Sequence, residues 1–174
     1  MDLEIMGKNA IVTGGSRGLG KTSALALARE GVNVAICGRT ESTLSSTVSE
    51  LKAFGIQAIG VLADISDPNS AHTVYEETVK QFGQVDILVN NVGGRRGTTL
   101  KETSEEQFKA SFEINLFGAL RLMWIAIPAM KVRKWGRIIN ISSIWGREHG
   151  GSIDYMSAKA ALIAATKFAA LELV

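Results

Sequence analysis

Short apolar runs recur along the chain, and each is followed by a longer stretch with helical periodicity. Near-continuous apolarity suits strands that are buried on both faces of a sheet. Five such runs stand at residues 10–12, 34–37, 58–62, 87–89 and 138–141. Helical patterns lie between and after them, at residues 19–30, 41–54, 68–82, 104–131 and 155–174. Strands that alternate with helices predict an α/β fold, a doubly wound parallel sheet with helices on both faces.

Several of these boundaries carry residues that start or stop helices. Asp67 before Pro68 is typical of an N-cap followed by proline at the first helical position. Ser104 and Gln107 fit a capping box at the start of the fourth helix. Pro128 is expected to kink or end that helix. Glycine stands where three other helices should end, at Gly31, Gly55 and Gly83.

Length and composition limit the classes of function. A chain of 174 residues without an internal linker or repeat is most simply one domain, here residues 1–174. Its net charge of +2 gives no argument for nucleic acid or for an anionic membrane surface. Cys37 is the single cysteine, which fits a reducing compartment. The first residues lack the basic region and apolar run of a secretory signal, so we expect a cytoplasmic protein that binds neither nucleic acid nor membrane.

A glycine-rich loop from Thr13 to Gly20 joins the first strand to the first helix. Its glycines at positions 14, 18 and 20 differ from the more common G-x-G-x-x-G spacing. Glycine permits a tight turn and a close approach of the backbone to a pyrophosphate, and the helix N-terminus favours the anion. The loop therefore predicts a dinucleotide site, with an ordinary glycine-rich turn as the alternative.

The end of the second strand should meet the adenosine ribose of a bound dinucleotide. An acidic residue there would bind the 2′-hydroxyl of NAD, but the stretch from Cys37 to Thr40 contains none. Arg17 and Arg39 could instead contact a 2′-phosphate. This pattern predicts NADP as the cofactor, while two ordinary surface arginines are the alternative interpretation.

Polar residues also follow the other strands, at the edge where open α/β sheets bind ligands. Asp64 follows the third strand and could accept a hydrogen bond from an adenine amino group or cap the next turn. Asn90 and Asn91 end the fourth strand, and Ser142 and Ser143 end the fifth. Each residue is also natural in a turn, so its position alone leaves both interpretations open.

Two helical features suggest chemistry near that edge. Asn115 shares an apolar helical stripe and therefore needs a hydrogen-bond partner, either near a site or in a simple buried contact. Tyr155 and Lys159 are four residues apart and share one helix face. A cation beside a phenol favours the phenolate, which makes Tyr155 a candidate proton donor or acceptor.

Taken in this order, the motifs resemble the short-chain dehydrogenase/reductase family over essentially the whole chain. The resemblance rests on residues 13–20, 64, 90–93, 115, 141–143 and 155–159. It implies a Rossmann-like fold and hydride transfer between NADP(H) and a small-molecule carbonyl or secondary alcohol. Among the family's subgroups, the 3-oxoacyl thioester reductases look most similar.

The resemblance also implies roles for single residues. Tyr155 would donate a proton to the carbonyl oxygen, Ser143 would polarise that oxygen, and Ser142 is the alternative serine. Lys159 would bind the nicotinamide ribose, and Asn115 would support a water that leads from the lysine toward solvent. No metal ion is implied. The cofactor would contact Gly14, Ser16, Arg17, Gly18, Leu19, Gly20, Arg39, Asp64, Ile65, Asn91, Tyr155 and Lys159.

The family also implies features beyond the point where this chain ends, at Val174. Its members continue with two further strands, a segment that contacts the nicotinamide, and a lid over the substrate. Helices equivalent to residues 104–131 and 155–174 pair between subunits in the family, so we expect a homo-oligomer, a dimer or tetramer.

A chain that stops at Val174 would expose the fifth strand, which lies at the edge of the expected sheet. We expect such a form to associate and to have little or no reductase activity. A nucleotide-binding module without turnover is therefore the alternative function. A Rossmann-like methyltransferase is a more distant one, because the ordered set of catalytic residues argues against it.

Overall fold

The structure, a computed structural model, describes residues 3–173 and contains one five-stranded parallel sheet. The strands are β1 (Asn9–Thr13), β2 (Asn33–Gly38), β3 (Ala58–Leu62), β4 (Ile87–Asn90) and β5 (Arg137–Asn140). The helices are α1 (Gly18–Arg29), α2 (Glu41–Lys52), α3 (Ser70–Phe82), α4 (Glu105–Phe112), α5 (Gly118–Arg133) and α6 (Ile153–Glu172). The predicted doubly wound α/β fold of Rossmann type is confirmed.

The strands lie in the order β3-β2-β1-β4-β5, and every neighbouring pair is parallel. In the central register, Ile11 of β1 pairs with Ala35 on one side and Leu88 on the other. The chain thus builds outward from β1 through β2 and β3, then crosses over to add β4 and β5. This reversal opens a crevice between the carboxyl ends of β1 and β4, where ligands bind in such sheets.

Two apolar layers cover the sheet, because successive strand residues face opposite sides. Val12 and Ile36 pack with buried residues of α1 and α2, among them Ala24 and Leu44. On the opposite face, residues such as Ile11 and Leu88 pack with the buried sides of α3 and α5, which include Val74, Leu122 and Ala126. Helix α6 is held through Leu162, which packs against Leu116 and Ala119.

A π-helical turn, Glu113–Phe117, separates α4 from α5. The prediction of one uninterrupted helix over residues 104–131 is therefore wrong at this turn. Asn115 explains the change, because its side-chain amide donates to the carbonyl of Ser111 at 2.8 Å. That carbonyl is the one which the backbone N–H of Asn115 would take in an α-helix. The N–H of Gly118 instead bonds to the carbonyl of Glu113, five residues back.

The predicted capping box is confirmed at the start of α4. The Ser104 hydroxyl accepts from the Gln107 N–H at 3.2 Å, and the Gln107 side chain accepts from the Ser104 N–H at 2.9 Å. The three glycine helix ends are confirmed as well, since each residue has the positive φ of a helix stop. These φ angles are 76° at Gly31, 79° at Gly55 and 86° at Gly83.

The predicted start of the third helix is wrong, and the fourth helical pattern does not end at Pro128. Helix α3 begins at Ser70, because Asp67 builds a turn before it: the Asp67 carboxylate accepts from the Asn69 N–H at 2.9 Å. Helix α5 continues past Pro128 to Arg133. Pro128 lies on the exposed side of α5, so the hydrogen bond that proline removes is lost only where water can replace it.

One continuous helical stretch in the described part of the chain, Glu105–Arg133, is long and apolar enough to cross a membrane by length and composition alone. Half of its most apolar window is buried inside the protein. Leu122 and Ala126 of this stretch belong to the core beneath the sheet. We therefore interpret it as a core helix.

Candidate active site

The glycine loop lies at the β1 end of the crevice. Gly14 has a φ of 64°, a conformation that side chains rarely adopt. At Gly20, a Cβ would overlap the Gly14 carbonyl and lie 2.5 Å from Nδ2 of Asn91. The loop therefore folds so tightly on β4 that only glycine fits at position 20.

Helix α1 begins directly at the loop, with Arg17 as its N-cap residue. No side chain caps this end, and the first turn carries no acidic residue. Its N–H groups and the positive end of the helix dipole thus suit an anion. Leu19 in the same turn is 60% exposed and borders the cavity described below. This arrangement fits the pyrophosphate of a dinucleotide.

The two asparagines at the end of β4 form hydrogen bonds with different parts of the sheet. Asn90 is buried and donates to Oδ1 of Asn140 at 2.8 Å, which ties β4 to β5. Asn91 spans the crevice: its N–H donates to the Thr13 hydroxyl at 2.9 Å, and its side chain donates to the Thr13 carbonyl at 3.0 Å. Asn91 thereby fixes the width of the crevice at the glycine loop.

The residues predicted to contact the adenosine lie at the carboxyl ends of β2 and β3, on the side of β1 away from β4. A Cβ at Gly38 would come within 3.0 Å of the Ser16 hydroxyl, so a larger side chain there requires that hydroxyl to shift. Nη1 of Arg39 lies 3.5 Å from Oδ2 of Asp64, in an exposed ion pair. Arg17 is also exposed.

Asp64 has the turn-building role that the sequence left open. Its Oδ1 accepts from the Ser66 N–H at 3.0 Å and from the Ser66 hydroxyl at 2.7 Å. Burial raises the pKa of Asp64, but the bonds from Ser66 and the charge of Arg39 outweigh it and lower the pKa overall. The Ile65 side chain points into the core, so only its backbone could meet a cofactor.

Asn115 is fully enclosed by the protein. Its Oδ1 accepts from the Gly94 N–H at 3.0 Å, and its Nδ2 donates to the Gly94 carbonyl at 2.6 Å. A Cβ at Gly93 would lie 2.9 Å from Oδ1 of Asn115 and 3.1 Å from Nζ of Lys159. The π turn thus brings Asn115 to one side of Gly93, with Lys159 on the other.

Lys159 is 2% exposed, although it carries a charge. Its Nζ donates to the Ile141 carbonyl at 2.8 Å and lies 5.8 Å from the centre of the Tyr155 ring. Burial lowers the pKa of Lys159 to about 8. At neutral pH the side chain is thus mostly an ammonium ion beside the tyrosine.

The two serines after β5 differ in what their hydroxyls do. Ser142 donates to the Lys159 carbonyl at 3.1 Å. The Ser143 oxygen accepts from the Trp145 N–H at 3.2 Å and so begins the 3₁₀ turn Ile144–Gly146. The hydroxyl proton of Ser143 remains available for another acceptor. This difference favours Ser143 over Ser142 as a donor to a ligand.

A cavity of about 570 Å³ joins these features at the carboxyl ends of β4 and β5. Among the predicted residues it brings together Leu19, Asn91, Ser142, Ser143, Tyr155 and Lys159. Asn115 lies behind Gly93 on its wall, whereas Arg17, Arg39 and Asp64 do not line it. An apolar groove of about 510 Å³ between α5, α6 and β5 contains none of the predicted site residues.

Sequence reasoning missed two residues that shape this site. Arg95 lies on the cavity wall, although none of the sequence motifs includes it. Asp154, next to Tyr155, is fully buried and accepts from the N–H groups of Arg96 at 2.7 Å and Gly97 at 3.0 Å. An acidic residue in the first turn of α6 was the available signal for Asp154. In residues 3–173, no cluster of His, Cys, Asp or Glu could hold a metal ion.

The buried ammonium of Lys159 gives a stability prediction. Its pKa of about 8 lies below the ordinary 10.5, so between these pH values the unfolded chain binds more protons and stability rises with pH. Below about pH 8 the cost of burying the charge is fully present, at about 3 kcal/mol. Lys159→Met removes this cost and loses one hydrogen bond worth about 1 kcal/mol.

We therefore expect Lys159→Met to raise the free energy of unfolding of the cofactor-free protein by about 2 kcal/mol at pH 7. The gain should vanish near pH 10, because there the remaining cost of burying the wild-type lysine has fallen to about the value of the lost hydrogen bond. Denaturant unfolding at pH 7, 9 and 10.5 measures the difference. Lys167→Met, at an exposed position of the same helix, is the control. A variant that is less stable at pH 7, or a pH-independent difference, would contradict the burial argument.

Comparison with known proteins agrees with this geometry. The family described as short chain dehydrogenase matches residues 8–174. The chain is 39% identical over 171 residues to 3-oxoacyl-[acyl-carrier-protein] reductase FabG of Staphylococcus aureus, a match that covers 97% of this chain and 69% of the relative. The chain belongs to the short-chain dehydrogenase/reductase family.

Solved structures share the fold closely. L-sorbose reductase from Gluconobacter frateurii, complexed with NADPH and L-sorbose, matches with a TM-score of 0.95 and 33% identity, covering 99% of this chain and 66% of that one. An NAD⁺-bound xylitol dehydrogenase matches with a TM-score of 0.90 and 27% identity, covering 98% and 66%. The chain thus spans about two thirds of the length of these proteins. One of these two structures contains NADPH and the other contains NAD⁺.

Proposed function

We propose that the protein is an NADP(H)-dependent oxidoreductase that interconverts a carbonyl compound and a secondary alcohol, with a 3-oxoacyl thioester as the first candidate substrate. One observation carries the proposal: a single cavity gathers Ser143, Tyr155 and Lys159 and borders the first turn of α1 at Leu19. The candidate proton-transfer groups and the predicted dinucleotide-binding loop therefore lie at the same cavity. The similarity to the Staphylococcus aureus reductase supports the choice of substrate class.

In the proposed reaction, each side chain acts through the position it occupies. The Tyr155 hydroxyl donates a proton to the substrate carbonyl oxygen during reduction. Ser143 donates a hydrogen bond to the same oxygen, since its proton is not taken up by the protein. The Lys159 ammonium, 5.8 Å from the Tyr155 ring, stabilises the phenolate that remains. A bound nicotinamide supplies the hydride.

In the proposed reaction, Asn115 and Asn91 hold the backbone around the cavity in place. Asn115 fixes Gly94 and lies across Gly93 from Lys159, so we propose that it keeps the lysine end of a proton path in place. Asn91 keeps β4 beside the glycine loop through its two bonds to Thr13. The cofactor contacts proposed are those implied by the family resemblance: Gly14, Ser16, Arg17, Gly18, Leu19, Gly20, Arg39, Asp64, Ile65, Asn91, Tyr155 and Lys159.

NADP(H) is proposed over NAD(H) because Gly38 stands where an acid would bind the 2′-hydroxyl, and Arg39 is nearby. The Arg39 guanidinium is exposed and lies 3.5 Å from Oδ2 of Asp64. We expect NADPH to bind at least about tenfold more tightly than NADH, since a charge-assisted bond contributes about 1.5–3 kcal/mol. Arg39→Ala should weaken NADPH binding by a similar factor and leave NADH binding unchanged. Calorimetric titration measures both affinities, and equal or tighter NADH binding by the wild type rejects the preference.

The function is tested by following NADPH absorbance with acetoacetyl-CoA, with ethyl acetoacetate and with simple ketones. NADPH oxidation that depends on the carbonyl compound is the expected result. NADPH binding without oxidation for every compound would instead favour a nucleotide-binding module. These compounds all carry a ketone carbonyl but differ in the group joined to it. Their relative rates therefore indicate which class of substrate the enzyme prefers.

We further propose that residues 1–174 belong to one cofactor-binding and catalytic domain, which acts in the cytoplasm. A homo-oligomer, a dimer or tetramer, is proposed from the exposed apolar side chains of two helices. Trp124 on α5 is 60% exposed, and Phe168 on α6 is 66% exposed.

A further inference from the structure

Arg95 lies on the wall of the same cavity as Ser143 and Tyr155. Arg95 and Lys159 are the cationic residues of that wall, and no Asp or Glu lines it within the described chain. A cleft with charges of one sign focuses the electrostatic field and attracts ligands of the opposite sign. The cavity is therefore suited to a substrate that carries negative charge.

The Arg95 guanidinium has no partner within the part of the protein that the structure describes. No carboxylate lies within 4.0 Å of it, and it makes no hydrogen bond to the protein. Two other arginines are paired with carboxylates: Arg121 lies 2.8 Å from Glu113, and Arg133 lies 3.7 Å from Asp86. The donors of Arg95 thus remain free for a ligand, in a planar arrangement that matches carboxylate and phosphate.

The backbone on both sides of Arg95 is held firmly. On one side, Asn115 makes two hydrogen bonds to Gly94, at 2.6 and 3.0 Å. On the other, the buried Asp154 carboxylate accepts from the N–H groups of Arg96 and Gly97. The Ile153 N–H also donates to the Thr98 carbonyl at 3.1 Å. The main chain at Arg95 is therefore fixed relative to helix α6.

This anchoring links Arg95 to the proposed proton donor. Asp154 directly precedes Tyr155 in the first turn of α6. Its buried carboxylate therefore connects the main chain just after Arg95 to the main chain at Tyr155. Although burial raises the pKa of Asp154, the hydroxyls of Ser152 and Ser111 and the N–H groups of Arg96 and Gly97 lower it to about 2. The anchor therefore stays charged over the whole range in which an enzyme would be assayed.

We propose that Arg95 binds an anionic group of the substrate, a carboxylate or a phosphate, while the reacting carbonyl lies between Ser143 and Tyr155. This inference rests on the proposed oxidoreductase function and narrows it. The substrate is then an oxo-acid or an oxoacyl thioester on a phosphate-bearing carrier, rather than a neutral ketone. Arg95 then determines which substrates are accepted.

The test compares Arg95→Ala with Arg147→Ala in the full-length protein. Arg147 is an exposed arginine just after the 3₁₀ turn beside the same cavity, but it does not line the wall. Three carbonyl probes are used: acetoacetate supplies a carboxylate, acetoacetyl-CoA supplies phosphates, and ethyl acetoacetate is neutral. Steady-state kcat and KM are measured for each probe, together with the dissociation constant of NADPH.

We expect Arg95→Ala to raise KM about 10- to 100-fold for the charged probe that the site recognises. Its kcat, its KM for ethyl acetoacetate and its NADPH affinity should stay near the wild-type values. Arg95→Lys should restore part of the loss, and Arg147→Ala should change nothing. A selective loss for acetoacetate indicates a carboxylate contact, and a selective loss for acetoacetyl-CoA indicates a phosphate contact.

Equal losses for neutral and charged probes, no loss for any probe, or a loss of NADPH affinity instead would overturn the proposal. If the wild type turns over none of the probes, the proposed function fails while the anion site can still be decided. Calorimetric titration of the protein with acetoacetate and with CoA then measures binding directly. Binding that disappears in Arg95→Ala supports the site. Equal binding by the variant, or no binding by the wild type, rejects it.

Discussion

Tyr155→Phe is expected to lower turnover about 10²–10⁴-fold, because it removes the hydroxyl proposed to transfer a proton to the carbonyl oxygen. Cofactor binding should remain nearly intact, since the aromatic ring and the first turn of α6 are kept. Rates from NADPH oxidation and affinities from calorimetry separate the two effects. The two readouts together distinguish a chemical defect from a folding defect.

Tyr75→Phe provides a matched control for this variant. Tyr75 is the other tyrosine of the chain, and it packs partly buried against the core formed by α3 and α5, away from the cavity. It should retain wild-type turnover. A Tyr155→Phe protein with near-normal rates would remove Tyr155 from the mechanism, whatever the behaviour of the control.

Gly20→Ala should have the second large effect, on the cofactor rather than on the chemistry. The new Cβ would overlap the Gly14 carbonyl and lie 2.5 Å from Nδ2 of Asn91, so the loop must move away from β4. We expect NADPH affinity to fall about 10- to 100-fold and the free energy of unfolding to fall by about 2 kcal/mol.

Gly55→Ala separates local crowding from the general cost of replacing glycine. Gly55 has a φ of 79° and open space around the position of a Cβ, far from the crevice. This control should lose about 1 kcal/mol of stability through backbone strain and keep wild-type NADPH affinity. Calorimetry with NADPH and denaturant unfolding compare the pair. A Gly20→Ala protein that binds NADPH as the wild type does would show that the loop is not the cofactor cradle.

The sheet could be predicted from the sequence because its signals are local and agree with one another. Apolar runs such as 34–37 are short, bounded by turn residues, and separated by helical patterns of suitable length. Such agreement across levels is what specifies a fold. The observed strands begin and end within one residue of the predicted runs at every boundary, and β3 coincides with its prediction.

The errors arose where tertiary contacts override local signals. The π turn depends on the Asn115 side chain competing for the Ser111 carbonyl, which periodicity cannot reveal. Helix α5 tolerates Pro128 because that residue faces solvent, a fact that depends on how the helix packs. The Asp67–Pro68 pair carries a helix-start pattern, but Asp67 uses its carboxylate on Asn69 in a preceding turn.

The candidate site was only partly accessible to sequence reasoning. The strand-end positions of Asn91 and Ser143 could be inferred because parallel strands direct their carboxyl ends to one edge. The choice between Ser142 and Ser143 required the hydrogen bonds, since only Ser142 commits its proton to the Lys159 carbonyl. Asp154 was missed because its hydrogen bonds reach residues 57 and 58 positions away, and Arg95 because its place on the cavity wall depends on how distant segments pack together.

The central claim is hydride transfer to a carbonyl at the cavity formed by Ser143, Tyr155 and Lys159. It is tested most directly with NADPH deuterated at each face of the nicotinamide C4 position, using the carbonyl compound that supports the fastest oxidation. Mass spectrometry of the product should find one deuterium on the carbon that bears the new hydroxyl, from one labelled face and not the other. Oxidation without label in the product from either face, or binding of NADPH with no oxidation for any carbonyl compound, would contradict the account.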